Sequence, residues 1–350
     1  DEVELIGKLS YEFEGEQSTG EFVVSGPLTE TIKARLALRA SKMQGGLYQN
    51  NAQPVAYNTF DLATFAVTPH TAPVGARDLS GEEEFVGRFT LVAEPTDELS
   101  LKLKVSGTDS QNDNPSWNFV TYKCASGASS LNPGQPCEEE YATAQNDYPA
   151  EIAQFVPHAN SDGSLGNDYS SHQVTGTVSY AFENFDLTSV TNFQQNKNVF
   201  ICDCDFQSGT PGTYATEASE WDAFSEEIRL LSNFDGSFNI MVGALYQTTD
   251  RDFEQYIQAF GLENSAASPA NRYNALVKNG ATEGETLAPF VQGIWNVTPT
   301  VEITAGFRYT HETKDSTFVQ PYVNPALAAL WRLNEVAAED QTFEDVSPEA

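Results

Sequence analysis

The strongest pattern in the chain is an alternation of apolar and polar residues with a period of two. From Val301 to Tyr309 the odd positions are apolar or aromatic, while the even positions are polar or small. Residues 99–105 alternate in the same way, with Lys102 and Lys104 on the polar side. Successive side chains of a β-strand point to opposite faces of a sheet, so each segment predicts a strand with one apolar and one polar face.

This criterion predicts about twelve strands along the chain. We expect them at residues 3–14, 19–27, 31–42, 82–94, 98–109, 171–182, 186–197, 221–233, 237–250, 285–297, 300–313 and from about 342 onward. Short connections alternate strictly with long ones, which fall at residues 43–81, 110–170, 198–220, 251–284 and 314–341. Soluble β-sandwiches and propellers have short, even spacing instead.

The predicted fold class is all-β, an antiparallel transmembrane β-barrel section with short periplasmic turns and long extracellular loops. A barrel strand needs about 9–11 tilted residues to cross a membrane, and the predicted strands are that long or longer. Aromatic residues near the strand ends fit interfacial girdles. Three segments inside the long connections are predicted to be locally helical: residues 151–156, 253–260 and 325–338.

The composition narrows the class of protein further. No apolar run approaches the 18 residues of a transmembrane helix, so a membrane-spanning form of this chain must use strands. Fifty acidic and 18 basic residues give a formal charge of −32, which excludes nucleic-acid binding and simple adhesion to an anionic lipid face. The negative charge could form an acidic mouth that attracts cations or divalent-bridged surface sugars. We favour the other explanation, solubility or adaptation to a salty environment.

The chain lacks the motifs that would indicate an enzyme. It contains no nucleophile elbow, phosphate loop or His-x-x-x-His pair, so we expect no catalytic residue, no metal and no cofactor. His311 and Glu312 are neighbours and would point to opposite faces of a strand, which prevents them from acting as a base and its orienting group. The acidic run at residues 138–140 has neither the spacing nor the glycine of a calcium loop.

Four cysteines, Cys124, Cys137, Cys202 and Cys204, lie in polar, loop-like sequence and indicate an oxidising compartment. Three pairings are possible. We predict that Cys124 and Cys137 are bonded to each other within one long loop. A bond between Cys202 and Cys204 is tight but feasible, and cross-pairing of the two loops is the alternative.

Two sets of residues are candidates for ligand contact. The polar sides of the strands predict a lumen-facing wall that includes Arg35, Arg39, Arg88, Lys102, Lys104, Arg229, Glu302 and Arg308. Both signs of charge occur, which favours a wall with compensating charges around something that fills the lumen over an ion-selective conduit. Loop aromatics could stack on a ligand, although packing within the loops explains each one as well: Trp117, Tyr122, Phe206, Tyr256 and Trp331.

The local sequence also resembles that of TonB-dependent outer-membrane receptors. Residues 24–36 (VSGPLTETIKARL) resemble the second and third barrel strands of that family, and residues 94–100 (EPTDELS) a periplasmic turn. A mid-barrel hairpin is matched by residues 226–232 and 242–246, and the start of a later strand by 343–348. Residues 289–298 (PFVQGIWNVT) and 304–312 (TAGFRYTHE) are the most specific match, and all these segments follow the family order.

The resemblance implies a bacterial outer-membrane barrel of about 22 strands with an N-terminal plug. Residues 1–350 are then expected to be a partial barrel, with the plug and the closing C-terminal strands missing. Implied partners are periplasmic TonB, a small-molecule chelate or other scarce nutrient, and the surrounding lipid and lipopolysaccharide. A ferric siderophore is the expected cargo. The alternatives are a glycan or cobalamin receptor of the same family, or a passive porin or structural barrel.

Overall fold

A computed structural model describes residues 2–79, 81–113, 124–128, 137, 142–204, 213–259 and 261–349. Within these residues the strands are β1 (Glu4–Glu12), β2 (Gln17–Pro27), β3 (Ile32–Met43), β4 (Tyr48–Asn50), β5 (Val55–Asp61), β6 (Val67–Ala72), β7 (Asp78–Leu79), β8 (Glu82–Ala93), β9 (Leu99–Asn112), β10 (Ala142–Thr143), β11 (Gly166–Ala181), β12 (Phe185–Asp203), β13 (Tyr214–Ser232), β14 (Phe238–Gln258), β15 (Leu262–Glu263), β16 (Leu276–Thr298), β17 (Val301–Val323) and β18 (Val336–Glu349). The helical elements are α1 (Ala150–Ala153) and two 3-10 turns, Pro269–Asn271 and Pro325–Leu327.

Twelve strands form one sheet in the order β1-β2-β3-β8-β9-β11-β12-β13-β14-β16-β17-β18. Every neighbouring pair is antiparallel. Each of the ten inner strands therefore pairs with the large strands before and after it in the chain, and β1 and β18 lie at the two edges, which is an up-and-down meander. The predicted all-β fold class and the positions of all twelve predicted strands are confirmed.

The strands after β11 are longer than the sequence pattern predicts. Strand β14 continues to Gln258, so the predicted helix at residues 253–260 is wrong over the part that the structure describes. The predicted helix at 325–338 is also wrong, because a single 3-10 turn is followed by β18 from Val336. Residues 253–258 and 336–338 each pair with a neighbouring long strand through backbone groups, and this pairing outweighs a local helical pattern there. Helix α1, Ala150–Ala153, overlaps the first half of the predicted segment 151–156.

The strand register separates the sheet into two faces, because residues directly opposite each other in an antiparallel pair share a face. Val105, Val174, Phe193 and Phe224 follow one another across β9, β11, β12 and β13. We call this side the apolar face. Its exposed members include Leu101, Leu103, Val105, Val174, Val178, Phe193, Phe224, Ile228, Ile240, Val242, Leu287, Ile303 and Phe307. The opposite side, which carries Lys102 and Lys104, is the polar face.

Three long connections join at one end of the sheet into what we call the loop unit, residues 48–79, 142–165 and 261–275. It contains two small three-stranded sheets, β10-β4-β7 and β15-β5-β6, each built from two different connections. Its buried hydrophobic cluster includes Tyr148, Ile152 and Tyr273 and reaches Ile201 and Tyr214 on the large strands. Ile201 and Tyr214 lie on the apolar face by register, so the loop unit packs against that side of the sheet.

Within the described residues, no helix is both long enough and apolar enough to cross a membrane.

Candidate functional site

The eight charged residues predicted for the lumen wall share the polar face of the large sheet. The register connects β3 through β17 without reversing the two sides, and it places on that face Arg35, Arg39, Arg88, Lys102, Lys104, Arg229, Glu302 and Arg308. Arg39 contacts Glu84, and the Arg229 guanidinium lies 3.6 Å from the Glu227 carboxylate. Charge compensation within this wall therefore exists at Arg39 and Arg229.

The predicted ligand-binding aromatics occupy separate places in the chain. Trp117, Tyr122 and Phe206 lie outside the described residues. Tyr256 is on the apolar face of β14, where its hydroxyl donates to Glu254 Oε2 at 3.3 Å and its ring centroid is 5.8 Å from that of His158. Trp331 is half-buried in the connection between β17 and β18. Tyr256 thus contacts the loop unit through its ring.

The loop unit is held together by a buried histidine that bridges two connections. His70, whose side chain is 3% exposed, places Nδ1 at 2.9 Å from Glu151 Oε1 on α1. Its Nε2 lies 3.1 Å from Thr59 Oγ1. The hydrogen bond from His70 lowers the pKa of Glu151, so this contact holds β6 and α1 together with the carboxylate ionised.

The third connection joins the same cluster through a buried carboxylate. The Thr59 hydroxyl donates to Glu263 Oε2 at 2.8 Å, and Arg272 donates to Glu263 Oε1 through Nε at 2.9 Å and Nη2 at 2.6 Å. The Arg272 guanidinium also lies over the rings of Phe155 and Tyr273, at 5.2 and 5.4 Å from their centroids. These contacts link all three connections into one body. No sequence motif pointed to them, because Thr59 and Glu263 are 204 residues apart.

Two aspartates of the loop unit titrate in opposite directions. Asp61 accepts hydrogen bonds from the Ser265 hydroxyl at 2.6 Å, the Ser265 amide at 3.0 Å and the Thr64 hydroxyl at 2.6 Å, and these bonds lower its pKa. Burial raises the pKa of Asp147 to about 6, opposed by one hydrogen bond from the Leu165 amide at 3.3 Å. Hydrogen bonds to the ionised form thus dominate at Asp61, whereas burial dominates at Asp147.

Replacing Asp147 by Asn is expected to stabilise the loop unit above pH 6. The folded-state pKa of about 6 exceeds the ordinary value of 3.8, so folding favours the protonated acid. The contribution of Asp147 to stability is therefore largest below pH 3.8 and is lost as pH rises through about 6. Ionisation costs about 2–3 kcal/mol at neutral pH, and the Asn side chain avoids it while still accepting from Leu165.

Hydrogen exchange of residues 142–165 at pH 5 and pH 7.5 measures this effect. At pH 7.5, residues 142–165 of the variant should exchange more slowly than those of the wild type. Their protection should also differ less between pH 5 and pH 7.5 than it does in the wild type. Asp162→Asn is the control: the Asp162 charge is a lesser cause of the raised Asp147 pKa, and the substitution weakens the hydrogen bonds from Ser164 that lower the Asp162 pKa, so it should stabilise the unit far less than Asp147→Asn. Equal protection of wild type and Asp147→Asn at pH 7.5 would contradict the prediction.

Acidic residues concentrate on the apolar side of the sheet, beyond its apolar band. Across β13, β14, β16, β17 and β18, five carboxylates are aligned by register in the order Asp222, Asp250, Glu283, Asp315 and Asp340. Because these carboxylates are neighbours, they make this part of the sheet, toward the loops, strongly electronegative. Like charges directly opposite each other also repel. Among the described residues, no three His, Cys, Asp or Glu side chains are grouped so that they could hold a metal ion.

The four cysteines form two disulfides, Cys124–Cys137 and Cys202–Cys204. The predicted pairing of Cys124 with Cys137 is confirmed, and the cross-paired alternative is wrong. Cys202 is buried at the end of β12. Neither pair leaves a free thiol.

A comparison with protein families agrees with this architecture. A model described as the β-barrel of TonB-dependent receptor-like proteins matches residues 96–342. The chain belongs to the TonB-dependent receptor family. These receptors are outer-membrane transporters and not enzymes. No curated protein sequence matches the chain significantly.

Several solved TonB-dependent receptors share the fold at low sequence identity. The siderophore receptor PiuA from Acinetobacter baumannii superposes with a TM-score of 0.65 at 11% identity, covering 98% of this chain and 46% of that one. The ferric yersiniabactin uptake receptor FyuA from Yersinia pestis gives 0.56 at 13%, covering 95% and 41%. The closed form of the ferric-catecholate import receptor Fiu from E. coli gives 0.56 at 12%, covering 99% and 46%. The chain thus spans less than half the length of each.

Proposed function

We propose that this chain is part of the wall of an outer-membrane receptor that imports a scarce nutrient. The observation that carries the proposal is the family match over residues 96–342, on a twelve-stranded meander with one apolar and one polar face. The energy for import comes from the proton-motive force, delivered by TonB from the periplasm. The outer-membrane lipid and lipopolysaccharide surround the apolar face.

In this proposal the apolar face of the sheet contacts lipid and the polar face lines the lumen of the barrel. A contiguous exposed apolar band on a folded protein marks contact with lipid or a partner. In a transmembrane barrel that band faces lipid, and the alternate residues face a polar lumen. Arg35, Lys104 and the other charged residues of the polar face then line the passage. The short turns lie on the periplasmic side, and the loop unit lies outside the cell.

The cargo we propose is a ferric siderophore or a similar chelate. Three receptors with the same fold are named for siderophore or ferric-chelate uptake, which supports this cargo without selecting a particular one. The residues of this chain that could contact it are the polar-face charges and the loop aromatics. Glycan or cobalamin import remains the rival within the family, and a passive porin is the rival outside it.

Uptake measurements in cells that carry the full-length gene test the proposal. Cells are given radiolabelled iron bound to a catecholate, a hydroxamate or citrate, with and without a proton-motive-force uncoupler. We expect accumulation of one chelate that the uncoupler abolishes, while binding to the cell surface persists. Cells without the gene, and labelled cobalamin and maltodextrin, are the controls. Accumulation that is undiminished after uncoupling would support a passive porin. Uncoupler-sensitive uptake of cobalamin or maltodextrin, without uptake of any iron chelate, would show that the imported nutrient is not a ferric chelate.

A further inference from the structure

A hydrogen-bonded chain of four side chains crosses the three connections of the loop unit. It runs from Glu151 on α1 to His70 on β6, continues to Thr59 on β5 and ends at Glu263 on β15. The His70 side chain is 3% exposed and the Glu263 side chain is 4% exposed, so bulk water does not reach this part of the chain. In such a buried chain, the atoms that can donate and the atoms that can accept determine where the protons lie.

The acceptors at the two ends of the chain determine the protonation of the histidine between them. Glu263 accepts two hydrogen bonds from Arg272, and it also accepts the single hydroxyl proton of Thr59 at 2.8 Å. The Thr59 oxygen then has no proton for His70, so it can only accept a hydrogen bond from Nε2, which lies 3.1 Å away. On the other side of the ring, Glu151 Oε1 lies 2.9 Å from Nδ1 and also accepts. Each ring nitrogen of His70 therefore faces an acceptor.

The charges around the ring favour an imidazolium cation. Glu151 contacts the ring directly, and Glu263 follows one hydroxyl group away. Asp61, at the end of β5, adds a third carboxylate close to Arg272, which contributes one guanidinium. A positive charge on His70 brings the two signs in this cluster closer to balance. Carboxylates within a few ångström of an imidazole stabilise its charged form.

Two tyrosine rings complete the surroundings of His70. The ring centroids of Tyr57 and Tyr273 lie 5.6 and 6.4 Å from that of the histidine. Burial raises the pKa of both phenols, so both remain uncharged over the range in which histidines titrate. Burial of the imidazole opposes a second proton, because it removes water from the charged form. The two acceptors oppose its loss, because a neutral ring would leave one buried acceptor without a donor.

We propose that His70 is a proton-dependent latch that holds the three connections of the loop unit together. With a proton on each ring nitrogen, it donates to Glu151 and to Thr59. When Nε2 loses its proton, the single hydroxyl proton of Thr59 is shared between two acceptors, Nε2 and Glu263, and one contact is lost. The latch is therefore closed in acid and opens as pH rises through the titration of His70. This inference goes beyond the proposed function and does not depend on it.

NMR of the histidine rings and hydrogen exchange of the purified full-length receptor in detergent test the latch. Burial raises the pKa of Asp147 to about 6, so Asp147→Asn serves as the parent protein and removes that second source of pH dependence. In the parent, nitrogen-15 chemical shifts should show both ring nitrogens of His70 protonated at pH 7, where an exposed histidine is mostly neutral. From pH 7 to pH 9, the protection factors of residues 48–79, 142–165 and 261–275 should fall together by about tenfold, because one hydrogen bond within a charged network is lost.

Two variants in the parent separate a latch from a purely structural role of the histidine. His70→Gln should remove the fall in protection between pH 7 and pH 9, and the signals that it lacks identify those of His70. Glu151→Gln keeps an oxygen acceptor for Nδ1 but removes the charge, and the Glu151 side chain is 57% exposed, so the fold should tolerate the change. In this variant the fall in protection should move to lower pH, because an ionised partner no longer stabilises the imidazolium.

His158→Asn is the matched control. His158 belongs to the same loop unit, but its ring contacts a single carboxylate, that of Glu254, at 3.1 Å. Asparagine tolerates the positive φ of 66° at this position. The variant should show the same fall in protection between pH 7 and pH 9 as the parent.

The inference is overturned if either ring nitrogen of His70 lacks a proton at pH 7. It is also overturned if His70→Gln loses protection between pH 7 and pH 9 as the parent does. An unchanged transition in Glu151→Gln would contradict it as well, since the carboxylate would then not hold the proton on the ring. None of these measurements involves transport, so failure of the latch and failure of the proposed function are distinguishable.

Discussion

Replacing Arg272 by Met is expected to destabilise the loop unit by about 3 kcal/mol, the lower end of the range for breaking a buried ion pair. The Glu263 side chain is 4% exposed and receives both hydrogen bonds from Arg272. Without the guanidinium, the Thr59 hydroxyl is the one side-chain donor to Glu263 among the described residues. The Arg272 side chain is itself 36% exposed, so solvent screening places the effect at the lower end.

Hydrogen exchange across residues 48–79, 142–165 and 261–275 measures the loss, because a joint decrease of protection shows that the three connections open together. Arg332→Met is the matched control. Arg332 forms an ion pair with Glu335 at 2.8 Å, but its side chain is 81% exposed, so its removal should have an effect below about 0.5 kcal/mol. The double variant Glu263→Gln, Arg272→Met should recover part of the stability, since no unpaired charge is then buried. Equal effects of Arg272→Met and Arg332→Met would show that the loop unit does not depend on this pair.

Replacing Leu101 by Arg is expected to destabilise the fold in a lipid environment, by about 2–4 kcal/mol if the position lies near the bilayer midplane and by less toward an interface. Leu101 lies on the apolar face directly opposite Ala93 on β8 and Val178 on β11. If this face contacts lipid, an arginine at position 101 must move its charge toward the interface or distort the bilayer. Reversible unfolding by guanidinium chloride in lipid vesicles gives the free-energy difference.

Ser100→Arg is the control for this prediction, because it places the same side chain one residue earlier on the polar face. Successive residues of a strand differ in face and little else, so the pair isolates the environment of each side. We expect Ser100→Arg to change stability by less than about 0.5 kcal/mol. A larger loss for Ser100→Arg than for Leu101→Arg would mean that the polar face, and not the apolar face, contacts lipid.

The sequence alone predicts much of the large sheet. Period-two alternation in segments such as 99–105 and 301–309 arises because the two faces of a strand contact different surroundings. Successive side chains point to opposite faces, so every second residue is selected for the same surroundings. Long and short connections then separate the two ends of the sheet. Because these signals are local, they can be recognised without knowledge of the fold. They predict the strand positions, the two faces, and the polar-face position of Arg35, Glu302 and Arg308.

The upper parts of the strands and the loop unit depend on tertiary structure. Strand β14 extends to Gln258 because β13 and β16 supply partners for its backbone groups, although residues 253–260 suggest a helix locally. His70, Glu151 and Glu263 come together through chain segments that no local pattern relates.

The charge distribution was decided in the same way. Mixed signs along the sequence suggested compensation on the polar face, but the register assembles Arg35, Arg88, Lys102 and Lys104 into one patch and aligns the carboxylates from Asp222 to Asp340 on the other side. A strand's own sequence determines which face a side chain takes. Only the pairing of strands determines which charges become neighbours, because Coulomb interactions depend on distances in space and not on separation along the chain.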